Sequence, residues 1–412
     1  MALKKKILLL ITNSGNGGAQ KVFYNLSREL SKKHEVVECV FDRTETELVY
    51  QSNNILIDLG VKPKKGIFGK ISNLIFRAKA LKQVIKKHQI DICISHMDGA
   101  NWVNVLAFHQ AKKVVCVHGS LTNDPNKSGL RGIIMNNMLS AFLYRMSDKV
   151  VTVSEGIKLE LIKLGIPSKR IEAIPNFFYD KQILEESKIN IEGSIHNLFH
   201  QYSVILFSGR LSKQKNIEPI FRILKKILVK NPDVKLVLIG DGELKEELIK
   251  ESINQNLRTY DICSFDSYNE SYNVYFLGHQ KNPYQYLSRA KLSILTSYFE
   301  GFPLVIGESL SCGLPCISVD CPTGPRQILS DDKILPKELN APEFSAYGVL
   351  MPMLDDLETQ AQRIDTWART IELLLTDPVL LSRYREMGIE RMKSFSVEKI
   401  MPKWEEIIAH GK

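Results

Sequence analysis

The chain has 412 residues, of which 44% are hydrophobic and 25% are charged, and its formal net charge is +9. This length predicts two domains rather than one core. The composition excludes low-complexity and collagen-like classes, and no stretch approaches the roughly 20 apolar residues that span a bilayer. The seven scattered cysteines favour reduced thiols, as in a cytoplasmic protein, over a disulfide framework.

Short apolar runs alternate with helical patterns through residues 1–180, which predicts a parallel sheet built from βαβ units. The predicted strands are KILLLIT, VVECVF, NILIDL, DICIS, KVVCVH and KVVTVS. The apolar core of the first run is about six residues long, shorter than that of a signal peptide. We therefore expect this run to be a buried strand.

A glycine-rich segment, SGNGGAQKVFYNLSREL, follows the first predicted strand. Gly15, Gly17 and Gly18 permit a tight turn, and a helix then begins with free N–H groups. Such a helix start suits a phosphate or a sugar hydroxyl. A plain strand-to-helix turn and a dinucleotide site are the alternatives, although the GxGxxG spacing is absent.

The net positive charge is concentrated between residues 62 and 89, which contain nine Lys or Arg residues and no acidic residue. Apolar residues recur there at helical spacing, namely Ile71, Leu74, Ile75, Ala78, Leu81 and Ile85. We favour a helix that rests on an anionic membrane surface. A solvated basic face is the alternative, and we do not expect nucleic acid because only Phe68 and Phe76 could stack on bases.

The alternating pattern stops near Pro175, and residues 181–201 are polar without a clear apolar period, so we predict a linker with irregular structure there. The strands SVILFSG, VKLVLIG, NVYFLG, KLSILTS and PCISV then predict a second doubly wound domain over residues 202–395. Such sheets bind ligands at the carboxyl ends of their strands. A final helix over about 396–412 is expected to pack back on the first domain.

The loop FSGRLSKQKN follows the first strand of the second domain. Gly209 leaves room for a ligand, while Arg210 and Lys215 can supply positive charge to phosphate oxygens. A solvated basic loop is the alternative.

Two glutamates flank a turn in TSYFEGFPLVIGESL. Glu300 precedes the turn that contains Gly301 and Pro303, and Glu308 lies in a helix that begins near Leu304. A nucleotide sugar has hydroxyls at both ends and a diphosphate in the middle, which matches two carboxylates separated by a helix N-terminus. Attraction to the helix dipole explains one such glutamate but not both.

Together with IGDGEL, NPYQYLSRAKLSILTS and GESLSCGLPCISVDCPTGPRQIL, these segments resemble the retaining family-four glycosyltransferases over nearly the whole chain. The resemblance implies an α/β GT-B fold of two facing Rossmann-like domains, each doubly wound on a parallel sheet, with a cleft between them. It also implies a nucleotide-sugar donor, no cofactor and no required metal. The absence of an Asp-x-Asp sequence agrees with the last point.

The resemblance assigns catalytic roles to four residues. Glu300 matches a glutamate that contacts hydroxyls of the donor sugar, and Arg210 and Lys215 match the pair that neutralises the departing diphosphate. His118, at the end of KVVCVHGS, matches a histidine that faces the transferring sugar. Without the resemblance, His118 would be interpreted as an ordinary strand-end histidine.

Donor binding is expected at the glycine loop, at Gly209 and along residues 301–304, and the resemblance implies that Glu308 holds the ribose. These positions are Gly17, Gly18, Gly209, Gly301, Phe302, Pro303, Leu304 and Glu308.

The sequence thus predicts a retaining transferase that moves a hexose or an N-acetylhexosamine from a UDP-sugar to a saccharide acceptor. The tail DCPTGPRQIL resembles members that build surface polysaccharides, lipid-linked oligosaccharides or lipopolysaccharide. With the basic helix, this favours a lipid-linked acceptor at the inner face of the cytoplasmic membrane. The alternatives are a non-catalytic nucleotide-binding protein and a nucleotide-sugar epimerase of the same fold. A nicotinamide oxidoreductase is disfavoured because the dinucleotide fingerprint is incomplete.

Overall fold

The structure is a computed structural model, and the residues it describes are 4–15, 17–42, 54–62, 64, 66–122, 137–264, 268–331, 338–356 and 358–409. Lys65 of the predicted basic helix and residues 410–412 of the predicted C-terminal helix lie outside the described residues. The chain divides into two compact units, one formed by Met1–Asn176 with Glu398–Lys412 and the other by Phe177–Val397.

The first unit contains a seven-stranded sheet in the order β3-β2-β1-β4-β5-β6-β7. All six strand pairs are parallel. The central strand β1 is apolar along its length because both faces of a parallel sheet are covered, and residues 7–11 are fully buried. The strands are β1 Lys6–Ile11, β2 Glu35–Val40, β3 Ile55–Asp58, β4 Ile92–His96, β5 Lys112–Val117, β6 Lys149–Thr152 and β7 Ile171–Ala173.

The second unit contains an eight-stranded sheet in the order β10-β11-β9-β8-β12-β13-β15-β14. It is parallel except at one edge, where β14 runs antiparallel to β15. Its first strand in the chain, β8, therefore lies between β9 and β12 in the interior of the sheet. The strands are β8 Ser203–Ser208, β9 Val234–Ile239, β10 Thr259–Asp261, β11 Val274–Phe276, β12 Leu292–Leu295, β13 Cys316–Val319, β14 Glu343–Phe344 and β15 Val349–Met351.

Helices connect the strands in both units. Glu218–Leu228 shows why they form: a proline stands in the first turn, and five large apolar residues between Ile220 and Ile227 are buried at helical spacing. The α-helices are Gly18–Leu30, Gly66–His88, Asp98–Leu106, Leu139–Tyr144, Glu155–Lys163, Asp180–Ser187, Ile195–Gln201, Glu218–Leu228, Lys245–Asn254, Tyr284–Leu287, Leu304–Ser311, Pro325–Leu329, Gln360–Thr376, Pro378–Met392 and Val397–Ala409.

The predicted α/β class with two doubly wound parallel sheets is confirmed, and all eleven strands predicted from apolar runs are present. Four further strands, β7, β10, β14 and β15, were not predicted because they have only two or three residues and show no alternation. Among the described residues, no helix is long and apolar enough to cross a membrane.

In the basic helix Gly66–His88, the apolar residues that recur at helical spacing divide between two faces. Ala78, Leu81 and Ile85 are buried in a core with β1, β2 and β4, and Leu74 packs against that core. Ile71 and Ile75 instead point outward, with about half of each residue exposed. Spacing alone did not separate the faces, since Leu74 and Ile75 are adjacent in sequence but lie about 100° apart around a helix.

The segment 181–201 is not the irregular linker that we predicted. It contains most of the helix Asp180–Ser187 and all of Ile195–Gln201, and it belongs to the second unit. Each helix buries only one or two apolar residues, too few to produce a periodic pattern. Hydrogen bonds fix the first helix instead, since Asn282 and Ser288 donate to the carbonyls of Glu186 and Ser187 at 2.8 and 2.9 Å.

The C-terminal helix Val397–Ala409 leaves the second unit, and residues from Glu398 onward belong to the first. Glu405 lies 3.1 Å from Nε2 of the buried His34. Lys112 donates through Nζ to the carbonyl of Ile407 at 2.6 Å, which satisfies a carbonyl in the last helical turn.

Candidate functional site

In the second unit, Lys215 and Glu300 meet although 85 residues separate them in sequence. Lys215 Nζ donates to Glu300 Oε1 at 2.6 Å, and the two side chains are only 15% and 8% exposed. Ser297 Oγ donates to the same carboxylate oxygen at 2.6 Å. Each residue follows a strand, β8 for Lys215 and β12 for Glu300, and these strands are neighbours. The carboxyl ends of two adjacent strands therefore bring a cation and a carboxylate together.

Main-chain contacts fix the two loops against each other. Gln214 donates through Nε2 to the carbonyl of Phe299 at 2.9 Å and accepts from the N–H of Tyr298 at 2.9 Å. Thr296 Oγ1 donates to the carbonyl of Asn216 at 2.8 Å. The positions of Lys215 and Glu300 are thus set by backbone as well as by their own ion pair.

The turn after Glu300 is closed by the loop that follows β13. Thr323 Oγ1 donates to the carbonyl of Glu300. Gly324 has φ +88°, and a Cβ on it would lie 2.9 Å from the carbonyl oxygen of Gly301 and 2.6 Å from Pro303 Cδ. The glycine at 324 is needed for this close approach.

Arg210 does not join Lys215 and Glu300 in this structure. Its side chain is 73% exposed, and Nε donates to Glu243 Oε2 at 3.2 Å. An ion pair this exposed contributes at most about 1 kcal/mol. The guanidinium can therefore move to a ligand at little cost.

Gly209 and Gly240, at the ends of the neighbouring strands β8 and β9, are in close backbone contact. Gly209 has φ +154° and Gly240 has φ +135°. A Cβ on Gly240 would lie 1.9 Å from the carbonyl oxygen of Gly209. Gly240, the first glycine of IGDGEL, therefore allows the close approach of the chain at Gly209, next to Arg210.

The helix Leu304–Ser311 begins directly after Pro303, and Glu308 is its fifth residue. Glu308 is 9% exposed and Leu304 is half-buried. Phe302 is buried, and its ring packs edge-on against Phe395 with centroids 5.3 Å apart. Of the EGFP segment, Phe302 thus offers a ligand its backbone rather than its ring.

In the first unit, the glycine loop leads from β1 into the helix Gly18–Leu30. Gly17 is the N-cap and Gly18, which is exposed, is the first helical residue. Asn13 Oδ1 accepts from the N–H of Gly15 at 3.2 Å and from Gln20 Nε2 at 2.8 Å. Among the described residues, no side chain caps the first N–H groups of this helix.

His118 follows β5 and is joined to a second histidine, His96, which ends the neighbouring strand β4. His96 Nδ1 and His118 Nε2 are 2.8 Å apart. Burial lowers the pKa of His118 to about 4, against the opposing effect of the Asp98 carboxylate. Burial, with a smaller contribution from His118, also lowers the pKa of His96 well below its usual value. Both rings are therefore neutral at pH 7.

We did not predict His96, Ser297 or Glu243 as site residues. His96 stands at a strand end in DICISH, as His118 does in KVVCVH, so the same strand-end argument could have found it. Ser297 and Glu243 carried no comparable signal, because their roles depend on which oxygen or nitrogen lies within reach.

The predicted site residues thus fall into two sets. Lys215, Glu300, Gly209, Arg210 and the 301–308 segment lie at the carboxyl ends of β8 and β12 in the second unit, while Gly17, Gly18 and His118 lie at those of β1 and β5 in the first. In the described part of the chain, no group of three or more His, Cys, Asp or Glu side chains could hold a metal ion.

Comparison with known families matches both halves of the chain. Residues 16–180 match the model described as Glycosyltransferase Family 4, and residues 192–348 match the model described as Glycosyl transferases group 1. The first match covers the first sheet except β1, and the second covers the second sheet except β15.

Individual relatives cover most of the chain. It is 29% identical over 358 residues to an uncharacterized glycosyltransferase of Methanocaldococcus jannaschii, covering 81% of this chain and 83% of the relative. It is 24% identical over 400 residues to the Campylobacter jejuni N-acetylgalactosamine-N,N'-diacetylbacillosaminyl-diphospho-undecaprenol 4-alpha-N-acetylgalactosaminyltransferase, covering 96% and 97%. Among solved structures, Anabaena HepE in complex with UDP aligns with a TM-score of 0.73, 19% identity and coverage of 98% and 99%, which shows a shared fold.

Proposed function

We propose the reaction of this chain from its family, since it belongs to the family-four glycosyltransferases with the GT-B fold. It transfers a hexose or an N-acetylhexosamine from a UDP-sugar to a saccharide acceptor, with retention of the anomeric configuration. The observation that carries the proposal is the contact between Lys215 and Glu300. It puts a cation that can bind phosphate beside a carboxylate that can accept from sugar hydroxyls.

Lys215, Arg210 and the start of the helix Leu304–Ser311 would hold the diphosphate of the donor. Breaking the bond between the anomeric carbon and the phosphate oxygen leaves negative charge on the diphosphate, and fixed positive groups lower the barrier most where that charge develops. Arg210 would leave its exposed partner Glu243 to reach the phosphate.

Glu300 and Glu308 would bind the hydroxyls at the two ends of the donor. Both hydrogen bonds from Lys215 and Ser297 go to Glu300 Oε1, which leaves Oε2 to accept from the transferring sugar. Glu308, one turn into its helix, would accept from the ribose. We assign to His118 the contact with the transferring sugar that the family resemblance implies, and to Gly17 and Gly18 the loop beneath donor and acceptor.

Retention follows if the acceptor oxygen attacks the face that the leaving group vacates. The new bond joins the acceptor oxygen to the anomeric carbon, the bond from that carbon to the phosphate oxygen breaks, and the acceptor proton passes to the departing phosphate oxygen. This sequence of steps requires neither a protein nucleophile nor a divalent metal.

The acceptor that we propose is a lipid-linked saccharide. The Campylobacter relative is named for an acceptor carried on diphospho-undecaprenol. The outward face of the helix Gly66–His88 fits such a substrate, since Phe68, Ile71 and Ile75 are exposed and continue into the exposed Lys79, Lys82 and Lys86. Apolar residues followed by cations on one helix face suit the boundary of an anionic membrane. We therefore propose a peripheral position on the inner face of the cytoplasmic membrane.

Arg210→Ala is expected to lower turnover by more than about tenfold, roughly 1.4 kcal/mol of barrier, because the departing diphosphate loses a charged donor. The same variant should lose most of the thermal stabilisation by UDP. At a hundred times its dissociation constant, a ligand stabilises the folded protein by about 2.7 kcal/mol. The measurement is the shift in Tm with UDP, GDP, ADP and NAD, together with mass-spectrometric detection of sugar added to an undecaprenyl-diphosphate-linked saccharide.

The matched control is Glu243→Gln, which removes the partner of Arg210 but keeps the guanidinium. It should change neither turnover nor UDP binding beyond about twofold, since the exposed pair contributes little. Free epimerised sugar in place of a glycosylated acceptor would identify an epimerase instead. Nucleotide binding without any product across the donor panel would identify a non-catalytic protein.

Replacing both Phe68 and Ile71 with serine is expected to weaken binding to vesicles containing anionic lipid by more than about tenfold. Burying each such side chain contributes about 1.5–3 kcal/mol, while the remaining lysines still attract the surface. Cosedimentation at low and high salt measures the effect. The control, Val229→Ser, removes a residue that is 82% exposed on another helix end and should leave binding unchanged. Failure of the wild-type protein to cosediment with anionic vesicles at low salt would contradict the membrane proposal.

A further inference from the structure

The histidine pair at the carboxyl ends of β4 and β5 constrains where protons can lie. The two rings are stacked, with centroids 5.0 Å apart and planes 27° apart, and the Nδ1 of His96 is 2.8 Å from the Nε2 of His118. Two neutral imidazoles at this distance share one N–H, so either His96 donates through Nδ1 or His118 donates through Nε2.

The surroundings of His96 differ from those of His118. His96 is fully buried, and the ring of Phe23 packs edge-on against it at 5.5 Å. Its Nε2 is also buried and has no hydrogen-bond partner among the residues that the structure describes. His118 is partly exposed, so a ligand can reach His118 but not His96.

The buried Nε2 of His96 decides between the two arrangements. If His118 donated, His96 would carry its own proton on Nε2, as a buried N–H without an acceptor. If His96 donates through Nδ1, its Nε2 is instead a bare acceptor. Orphaned buried N–H groups are rare in proteins, and acceptors lacking a partner are tolerated more often. The second arrangement is therefore favoured, and His118 then carries its proton on Nδ1.

The backbone around His96 holds this geometry. Met97, the next residue, has φ +75°, an uncommon value for a residue with a side chain. Its carbonyl accepts from the N–H of Asn101 at 2.9 Å, in the first turn of the helix Asp98–Leu106. His96 itself pairs with Ile11 of β1 in the sheet. The ring is thus positioned by a strand, a constrained turn and a helix start.

We infer that His96 is a positioning residue that holds His118 as the Nδ1–H tautomer, so that His118 presents a hydrogen-bond donor to an oxygen of the transferring sugar. The functional half of this inference rests on the proposed role of His118. The tautomer itself does not depend on that role, because it follows from the contact between the two rings.

Nitrogen-15 NMR of the full chain with labelled histidine tests the tautomer directly, with the His118 signals assigned from His118→Asn. We expect the wild type at pH 7 to show His118 protonated at Nδ1. His96→Asn should preserve that signature, because an asparagine amide can occupy the position of Nδ1–H and donate. His96→Leu should let His118 redistribute toward the Nε2–H form. His88→Asn, at the end of the basic helix Gly66–His88, is the control and should leave the His118 signals unchanged.

Kinetics separate this inference from the proposed function. His96→Leu should lower kcat/KM by about tenfold or more, since misplacing a contact at the reacting sugar is costly, and His96→Asn should restore most of it. A wild-type His118 protonated at Nε2 would overturn the positioning role, whatever the activity. The expected tautomer together with full activity of His118→Ala would instead overturn the catalytic role of His118.

Discussion

Lys215→Ala is expected to lower kcat by about 10²- to 10³-fold, the loss typical of removing one preorganised group that stabilises developing negative charge. Lys215 is placed for this role because its ammonium is held within a mostly buried pair with Glu300 at 2.6 Å. Loops that hydrogen-bond to each other through Gln214 and Tyr298 fix both residues. Steady-state kinetics with a saturating acceptor measures the loss.

The same substitution should also destabilise the protein, because it leaves the Glu300 carboxylate 8% exposed without its cation. Removing one partner of a fully buried pair costs about 3–5 kcal/mol, and water reaching Lys215 reduces that here to about 2 kcal/mol. Adding Glu300→Gln should recover stability but not activity. An amide is neutral, so no buried charge is left without its partner, and the amide oxygen can still accept from Ser297.

Lys213→Ala is the matched control, since Lys213 lies in the same short 3₁₀ helix, Lys213–Lys215, but is exposed. It should alter Tm and kcat only slightly, as surface substitutions do. Turnover of Lys215→Ala close to that of the wild type would mean that the diphosphate is stabilised elsewhere. A loss shared equally by Lys213→Ala would point to the net charge of the loop.

The strand-end rule explains how much of the site was predictable. Apolar runs identified β8 and β12, and ligands of parallel sheets bind at carboxyl ends, so Lys215 and Glu300 could both be placed at one edge. Their direct contact could not be predicted, because it depends on β8 and β12 being neighbours. Three α-helices, one 3₁₀ helix and three strands lie between them in the chain, and the local sequence pattern does not reveal strand order.

The features that the local pattern did not reveal also depend on contacts from elsewhere in the chain. Ile71 and Ile75 fit a helical period but point outward, because β1, β2 and β4 cover only the face that carries Ala78, Leu81 and Ile85. Residues 181–201 lack a period but contain helical residues, and Asn282 and Ser288 hydrogen-bond to the last two carbonyls of the first helix. Helical spacing of apolar residues indicates which residues are buried only where the helix is long enough for that spacing to repeat.

Gly240→Ala is expected to reduce the free energy of unfolding by about 3 kcal/mol or more, combining backbone strain with overpacking. Gly240 has φ +135°, and its new Cβ would lie 1.9 Å from the carbonyl oxygen and 2.8 Å from the carbonyl carbon of Gly209. Both neighbours are backbone atoms, so no side-chain rotation can relieve the contact. Urea denaturation of the full chain, followed by intrinsic fluorescence, measures the change.

Relief of this contact would require β8 and β9 to separate at their ends, and the consequences would reach the candidate site. Gly209 donates to the carbonyl of Ile239 at 2.9 Å, and Leu211 donates to that of Asp241 at 2.9 Å. Both bonds flank Arg210, so any folded Gly240→Ala protein should also bind UDP more weakly.

Gly278→Ala tests backbone strain without the overpacking. Gly278 follows β11, the strand beside β9, and has a positive φ of +64°. A Cβ there would meet only Ile262 Cγ2, at an ordinary 3.8 Å. Its cost should therefore be that of a left-handed residue alone, about 1–2 kcal/mol, with UDP binding unchanged. Equal losses of unfolding free energy in the two variants would mean that backbone conformation, rather than the contact with Gly209, explains the glycine at 240. A larger loss at Gly240, accompanied by weaker UDP binding, would tie that glycine to the path of the chain at Gly209 and Arg210.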